Sequence, residues 1–90
     1  MKLNIYSVKD NLSNFMQPFY LQNDELAKRA FANTINSEEP SQIKTNYADM
    51  NLYRIGTFDD DTGEIVGQIE YLGKGADFKW STTAKATDQQ

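Results

Sequence analysis

Asn23-Asp24-Glu25-Leu26-Ala27-Lys28-Arg29-Ala30-Phe31-Ala32-Asn33-Thr34-Ile35-Asn36 is the stretch that decides the fold. Leu26, Ala27, Ala30, Phe31, Thr34 and Ile35 fall on one side of a helical wheel, while Glu25, Lys28, Arg29, Ala32, Asn33 and Asn36 take the other. Asn23 suits an N-cap because its side-chain oxygen can accept from an amide of the first turn. Asp24 and Glu25 then stand at the positive end of the helix dipole. The pattern predicts one helix over residues 24–36.

On both sides of this helix the period drops to two. Leu3-Asn4-Ile5-Tyr6-Ser7-Val8 alternates, with Leu3 and Ile5 on one face and Lys2, Asn4 and Tyr6 on the other, as a half-buried strand should. A turn over Lys9–Asn14 leads to a second extended run, Phe15–Leu21. Pro18 lacks a ladder donor and marks that run as an edge strand or a bulge. After the helix, Pro40 breaks the chain into a loop, and Tyr47–Met50 has room for a short helical turn. Leu52–Phe58 and Ile65–Leu72 read as a hairpin joined by Asp59-Asp60-Asp61-Thr62-Gly63, with Gly63 free to take a positive φ. Beyond Gly73 the chain is rich in Gly, Ala, Thr and Lys, which predicts a flexible tail over residues 74–90 after a domain over 1–73.

The expected architecture is therefore α+β: a small β-β-α-β-β domain with a mainly antiparallel sheet, one packed helix and a flexible C-terminal tail. Ninety residues support a single core. One helix covers one face of a four-stranded sheet. The other face is left for solvent, a second subunit or a ligand, and a dimer or larger homo-oligomer is the expected state. The chain has no cysteine, so disulfides, thiolate zinc sites and thiol nucleophiles are excluded. Nothing in it has the form of a signal peptide or a membrane span, which points to an intracellular product.

Chemistry has few handholds. Histidine is absent, removing the commonest general base near neutral pH. The glycines form no phosphate-cradling loop, and the serines and threonines no nucleophile elbow. Asp59, Asp61 and Glu70 have the one–three–twelve spacing of a calcium loop, but its sixth position is Glu64 instead of glycine. An acidic hairpin turn explains them. No catalytic residue, metal or cofactor is expected, and the class is binding, not catalysis.

The net charge of −4 runs against a strongly electrostatic nucleic-acid binder. It is unevenly spread: residues 1–72 hold six Lys or Arg against eleven acids, and 73–90 hold three Lys against two. Cations also sit beside aromatic residues, as in sequence-tolerant single-strand binders. Tyr6 shares a strand face with Lys2, Tyr53 adjoins Arg54, and Lys79 lies between Phe78 and Trp80; Lys28 and Arg29 share the outer side of the helix. Each has a plainer reading as well: Tyr6 and Tyr53 as padding of a dimer interface, Arg54 as the ion-pair partner of an acid on the next strand, and Lys28-Arg29 as solubilising charge.

Several segments together resemble the small nonstructural protein, assigned to DNA binding, of gokushovirus-type microviruses, phages with circular single-stranded DNA. They are Tyr6-Ser7-Val8-Lys9-Asp10, Gln17-Pro18-Phe19-Tyr20, the helix residues Ala27, Arg29, Phe31 and Asn36, Leu52-Tyr53-Arg54-Ile55-Gly56-Thr57-Phe58-Asp59 and Thr62-Gly63-Glu64-Ile65. The likeness spans nearly all of residues 1–72. It departs at Lys44–Asp49, where relatives carry a His-Pro pair, and ends before Lys74. It implies low-specificity binding of viral single-stranded DNA in the host bacterial cytoplasm, in synthesis of that DNA or its hand-over to packaging. On this reading Lys2, Lys28, Arg29, Arg54 and Lys79 contact phosphates, and Tyr6, Tyr53 and Trp80 stack on bases. The alternative is a protein-interaction module that docks on phage replication or capsid proteins without touching DNA. An open apolar sheet face would favour docking; a clustered basic and aromatic face would favour DNA.

Overall fold

A computed structural model describes residues 1–80. The strands are β1 (Lys2–Asp10), β2 (Phe19–Leu21), β3 (Met50–Asp59) and β4 (Ile65–Lys74). They form one antiparallel sheet in the order β2-β1-β3-β4. The long helix α1 (Asp24–Asn36) follows β2, and two one-turn helices, α2 (Gln42–Thr45) and α3 (Gly75–Phe78), flank the β3–β4 hairpin in sequence. A single 3₁₀ turn, Tyr47–Asp49, leads into β3.

Helix α1 begins where the sequence places it. Asn23 stays extended and its Oδ1 accepts the Leu26 amide at 2.9 Å. Ala27, Phe31 and Ile35 are buried against Tyr6 and Val8 of β1 and Met50 and Leu52 of β3. Each large side chain fully buried here contributes about 1.5–3 kcal/mol. Pro18 has the expected effect. Phe15 makes an isolated bridge with Lys9, the pairing lapses, and β2 resumes for only three residues. In the hairpin turn Gly63 has φ +80°, and the Asp59 and Glu64 backbones close the loop at 2.9 Å.

The domain does not end at residue 73. Strand β4 runs to Lys74, and α3 tucks beneath α1, with the Phe78 ring 5.3 Å from Phe31 and nearly perpendicular to it. A Cβ on Gly75 would lie 2.1 Å from the Tyr47 carbonyl oxygen, so this close approach requires glycine. The Asn36 side chain fastens the segment, donating to the Phe78 carbonyl and accepting the Trp80 amide, each at 2.9 Å. Residues 74–80 are thus packed structure, held by an aromatic anchor within a run of small and polar residues. The rest of the predicted tail, 81–90, lies outside the described residues.

Tyr6 ties sheet to helix. Its ring is fully buried and stacks on Phe19. Its hydroxyl donates to Asp24 at 2.7 Å and accepts from Asn4 at 2.9 Å. Burial, then the hydrogen bond to Asp24, pushes this hydroxyl up to about 12. A phenol whose folded pKa is raised lends stability that is fully present below its unfolded pKa, about 10, and is lost as pH rises through the folded value. Thermal unfolding followed by circular dichroism should therefore show midpoints falling between pH 10 and 12. Tyr6→Phe should cost about 1 kcal/mol at neutral pH and remove that part of the alkaline loss. An unchanged alkaline profile in Tyr6→Phe would show that the hydroxyl is not the titrating group.

Candidate nucleic-acid interface

The face of the sheet away from α1 is built by register. Ile5 pairs with Tyr20 and Gly56, Leu3 with Phe58, and Ser7 with Tyr53. Tyr53 pairs in turn with Tyr71, and Phe58 with Ile65. Paired residues point to the same side, so these side chains share one surface. A bulge makes this possible. Tyr53 and Phe58 are five residues apart and would face opposite sides of a regular strand, but the register shifts where Ile5 meets Gly56 and Tyr6 meets Arg54. Ile55, the extra residue, restores them to one face.

The rings form two groups. Phe15, Tyr53 and Tyr71 run across the sheet with centroids 5.4 Å apart at each step, edge to face. Tyr20 and Phe58 form a second edge-to-face pair at 5.9 Å. A shallow hollow of about 460 Å³, lined by Phe15, Ile55, Gly67, Gln68 and Ile69, lies on the same surface. Tyr71, Tyr20 and Phe15 are 52%, 48% and 41% exposed, so they offer ring surface to a ligand.

Lys9 and Lys74 stand at one end of this face, each the register partner of Asn51, with Phe15 bridging to Lys9. Among the described strand positions on this face they are the only charged residues. No ion pair among the described residues engages either one. The acids lie elsewhere. Asp59, Asp60 and Asp61 cluster at the opposite end, where the Met1 ammonium contacts Asp60 at 2.8 Å and Asp61 at 2.7 Å. Those carboxylates, with the hydrogen bonds to Asp60 and Asp61 foremost, raise the ammonium pKa. A hydrogen bond from the Asp61 amide holds the Asp59 carboxyl below its usual range. The Glu70 carboxylate turns to Arg54 instead of joining the cluster, so the calcium-like spacing brings no ligand set together.

The residues singled out from sequence do not form one patch. Tyr53 belongs to the open face. Tyr6 does not: its ring is wholly buried under α1 and has no surface for a base. Arg54 is clamped on the helix side between Asp24 at 3.3 Å and Glu70 at 2.6 Å. The Glu70 hydrogen bond raises its pKa further, so it serves as a brace between helix and hairpin. Lys28 pairs with Glu25 at 3.6 Å on the outer side of α1, where Arg29 is also exposed. Lys2 pairs in register with Asp59, beside the acidic turn. Lys79 lies 5.3 Å over the Tyr47 ring, and Trp80, half exposed, is held near the end of α1. Sequence reasoning missed Lys9, Phe15, Tyr20, Tyr71 and Lys74. The findable signal was the hairpin itself, since folding the chain about Asp60–Gly63 sets Tyr53 opposite Tyr71.

Residues 3–78 match the profile of the family described as Phage ORF5 protein. The chain belongs to that family. The chain is thus a phage product, as the sequence resemblance implied, and the matched region includes α3 and Phe78. No curated protein and no solved structure matches it. No helix among its described residues is long and apolar enough to cross a membrane.

Proposed function

We propose that this phage protein binds single-stranded DNA on the open face of its sheet, in the host cytoplasm, during synthesis of viral DNA or its hand-over to packaging. The observation that carries the reading is the composition of that face. In a protein of net charge −4 it gathers five aromatic rings, and its strand positions carry only positive charge. Exposed rings suit bases, which stack with little regard to sequence, and lysines at the rim suit phosphates. The likeness to the nonstructural protein of single-stranded DNA phages points the same way. The contact set is therefore Lys9, Phe15, Tyr20, Tyr53, Tyr71 and Lys74, with Tyr6 and Arg54 assigned to the scaffold. Binding without catalysis is consistent with a sequence that has no histidine.

The apolar hollow beside Phe15 and Ile69 favours a second reading, docking of a phage replication or capsid protein on the same surface. Titration of labelled single-stranded and duplex oligonucleotides at two salt concentrations separates the two. DNA binding requires a preference for single strands, because duplex bases do not expose their faces. Affinity should also fall by roughly 0.7 log units per log unit of salt for each phosphate neutralised. No binding of either form at low salt would leave the docking reading in its place.

A further inference from the structure

We propose that β4 is a self-recognition edge: two copies join antiparallel along Ile65–Lys74 and extend the sheet from four strands to eight. The two edges of the sheet are handled differently. Strand β2 has three residues and follows Pro18, features that blunt an edge against pairing. Strand β4 has ten residues and no proline. Between Ile65 and Leu72 its only charge is Glu70, which is paired with Arg54 on the adjoining strand. It also lies beyond the cover of α1, with residues 65–71 all exposed. Yet its side chains include Ile65, Val66, Ile69 and Tyr71, between 49% and 67% exposed. A long, apolar edge with one row of backbone groups unpaired is a template for another strand.

The charges at its ends say which strand. Glu64 and the Asp59–Asp61 cluster precede β4, and Lys74 closes it, near Lys9. Antiparallel pairing with a second copy sets the acidic end of each strand beside the basic end of the other. Parallel pairing would set like against like. The strand is therefore complementary to itself about a two-fold axis, the usual symmetry of a homodimer. This inference is independent of the DNA reading.

The absence of native cysteine makes the test clean. Val66→Cys, Gln68→Cys, Ile69→Cys and Tyr71→Cys would be oxidised mildly beside Leu12→Cys, a fully folded control position 84% exposed on the β1–β2 loop. A disulfide needs Cα atoms within about 7 Å, a separation met only close to the axis. One or two neighbouring β4 positions should therefore form covalent dimers about tenfold faster than the control. Light scattering should give a dimer mass for the unmodified chain and a monomer mass for Ile69→Lys, which sets two lysines near the axis. A monomer mass for the unmodified chain at every accessible concentration overturns the proposal. So does a dimer that Ile69→Lys leaves intact and no β4 cysteine traps. An intact β4 dimer that fails to bind DNA would count against the DNA reading alone.

Discussion

Phe31→Ala is expected to destabilise the domain by about 3–5 kcal/mol, the usual cost of emptying a buried phenylalanine site. The ring is only 3% exposed and stands between the sheet and Phe78. Its loss empties the helix–sheet core and also removes the surface on which α3 closes. Domains of this size hold about 5–15 kcal/mol in total, so a large part of the folded population would go. Denaturant titration checks this; a midpoint within error of the unmodified chain would show that Phe31 is not a core residue. The site was legible from sequence because Phe31 sits at the centre of the apolar arc of α1.

The second large effect concerns the ligand. Base–aromatic stacking is worth about 1–3 kcal/mol per base, so Tyr71→Ala should weaken single-strand binding roughly tenfold. Tyr53→Ala should act similarly, but the two rings touch, and the double variant should lose less than the sum. Lys9→Ala and Lys74→Ala should each lower the salt slope by about 0.7 with little change in the preference for single strands. Arg54→Ala is the informative contrast. It should leave the salt slope unchanged and lower stability by about 1 kcal/mol, since its guanidinium is spent on Asp24 and Glu70. Oligonucleotide titration of the folded variants decides. A slope reduced by Arg54→Ala but not by Lys9→Ala would move the interface to the helix side.

How much of this could be read from the sequence follows from which interactions are local. The helix, its Asn23 cap, the acidic hairpin and the edge character around Pro18 depend on near neighbours, and each was visible. The side of the sheet that meets the helix depends on contacts between distant segments. Alternation separates Ile5 from Tyr6 but does not say which goes under α1, so Tyr6 read as a ligand contact or interface padding and not as the core residue it is. The bulge at Ile55 hides the site in another way. Counting by twos puts Tyr53 and Phe58 on opposite faces, and only the β1–β3 register returns them to one. Phe78 was the available signal that the chain stays packed beyond Gly73, since a large ring among small polar residues needs somewhere to go. Composition alone concealed the basic rim, because Lys9 and Lys74 are 65 residues apart in sequence and meet only across Asn51.

The most direct test of the open face as the DNA site is amide chemical-shift mapping of the isotope-labelled chain during addition of a short oligothymidine. The largest shifts should fall at Lys9, Phe15, Tyr20, Tyr53, Tyr71 and Lys74, with α1 largely silent. Shifts concentrated at Lys28 and Arg29 on the outer side of α1, or none at any residue under low salt, would contradict it.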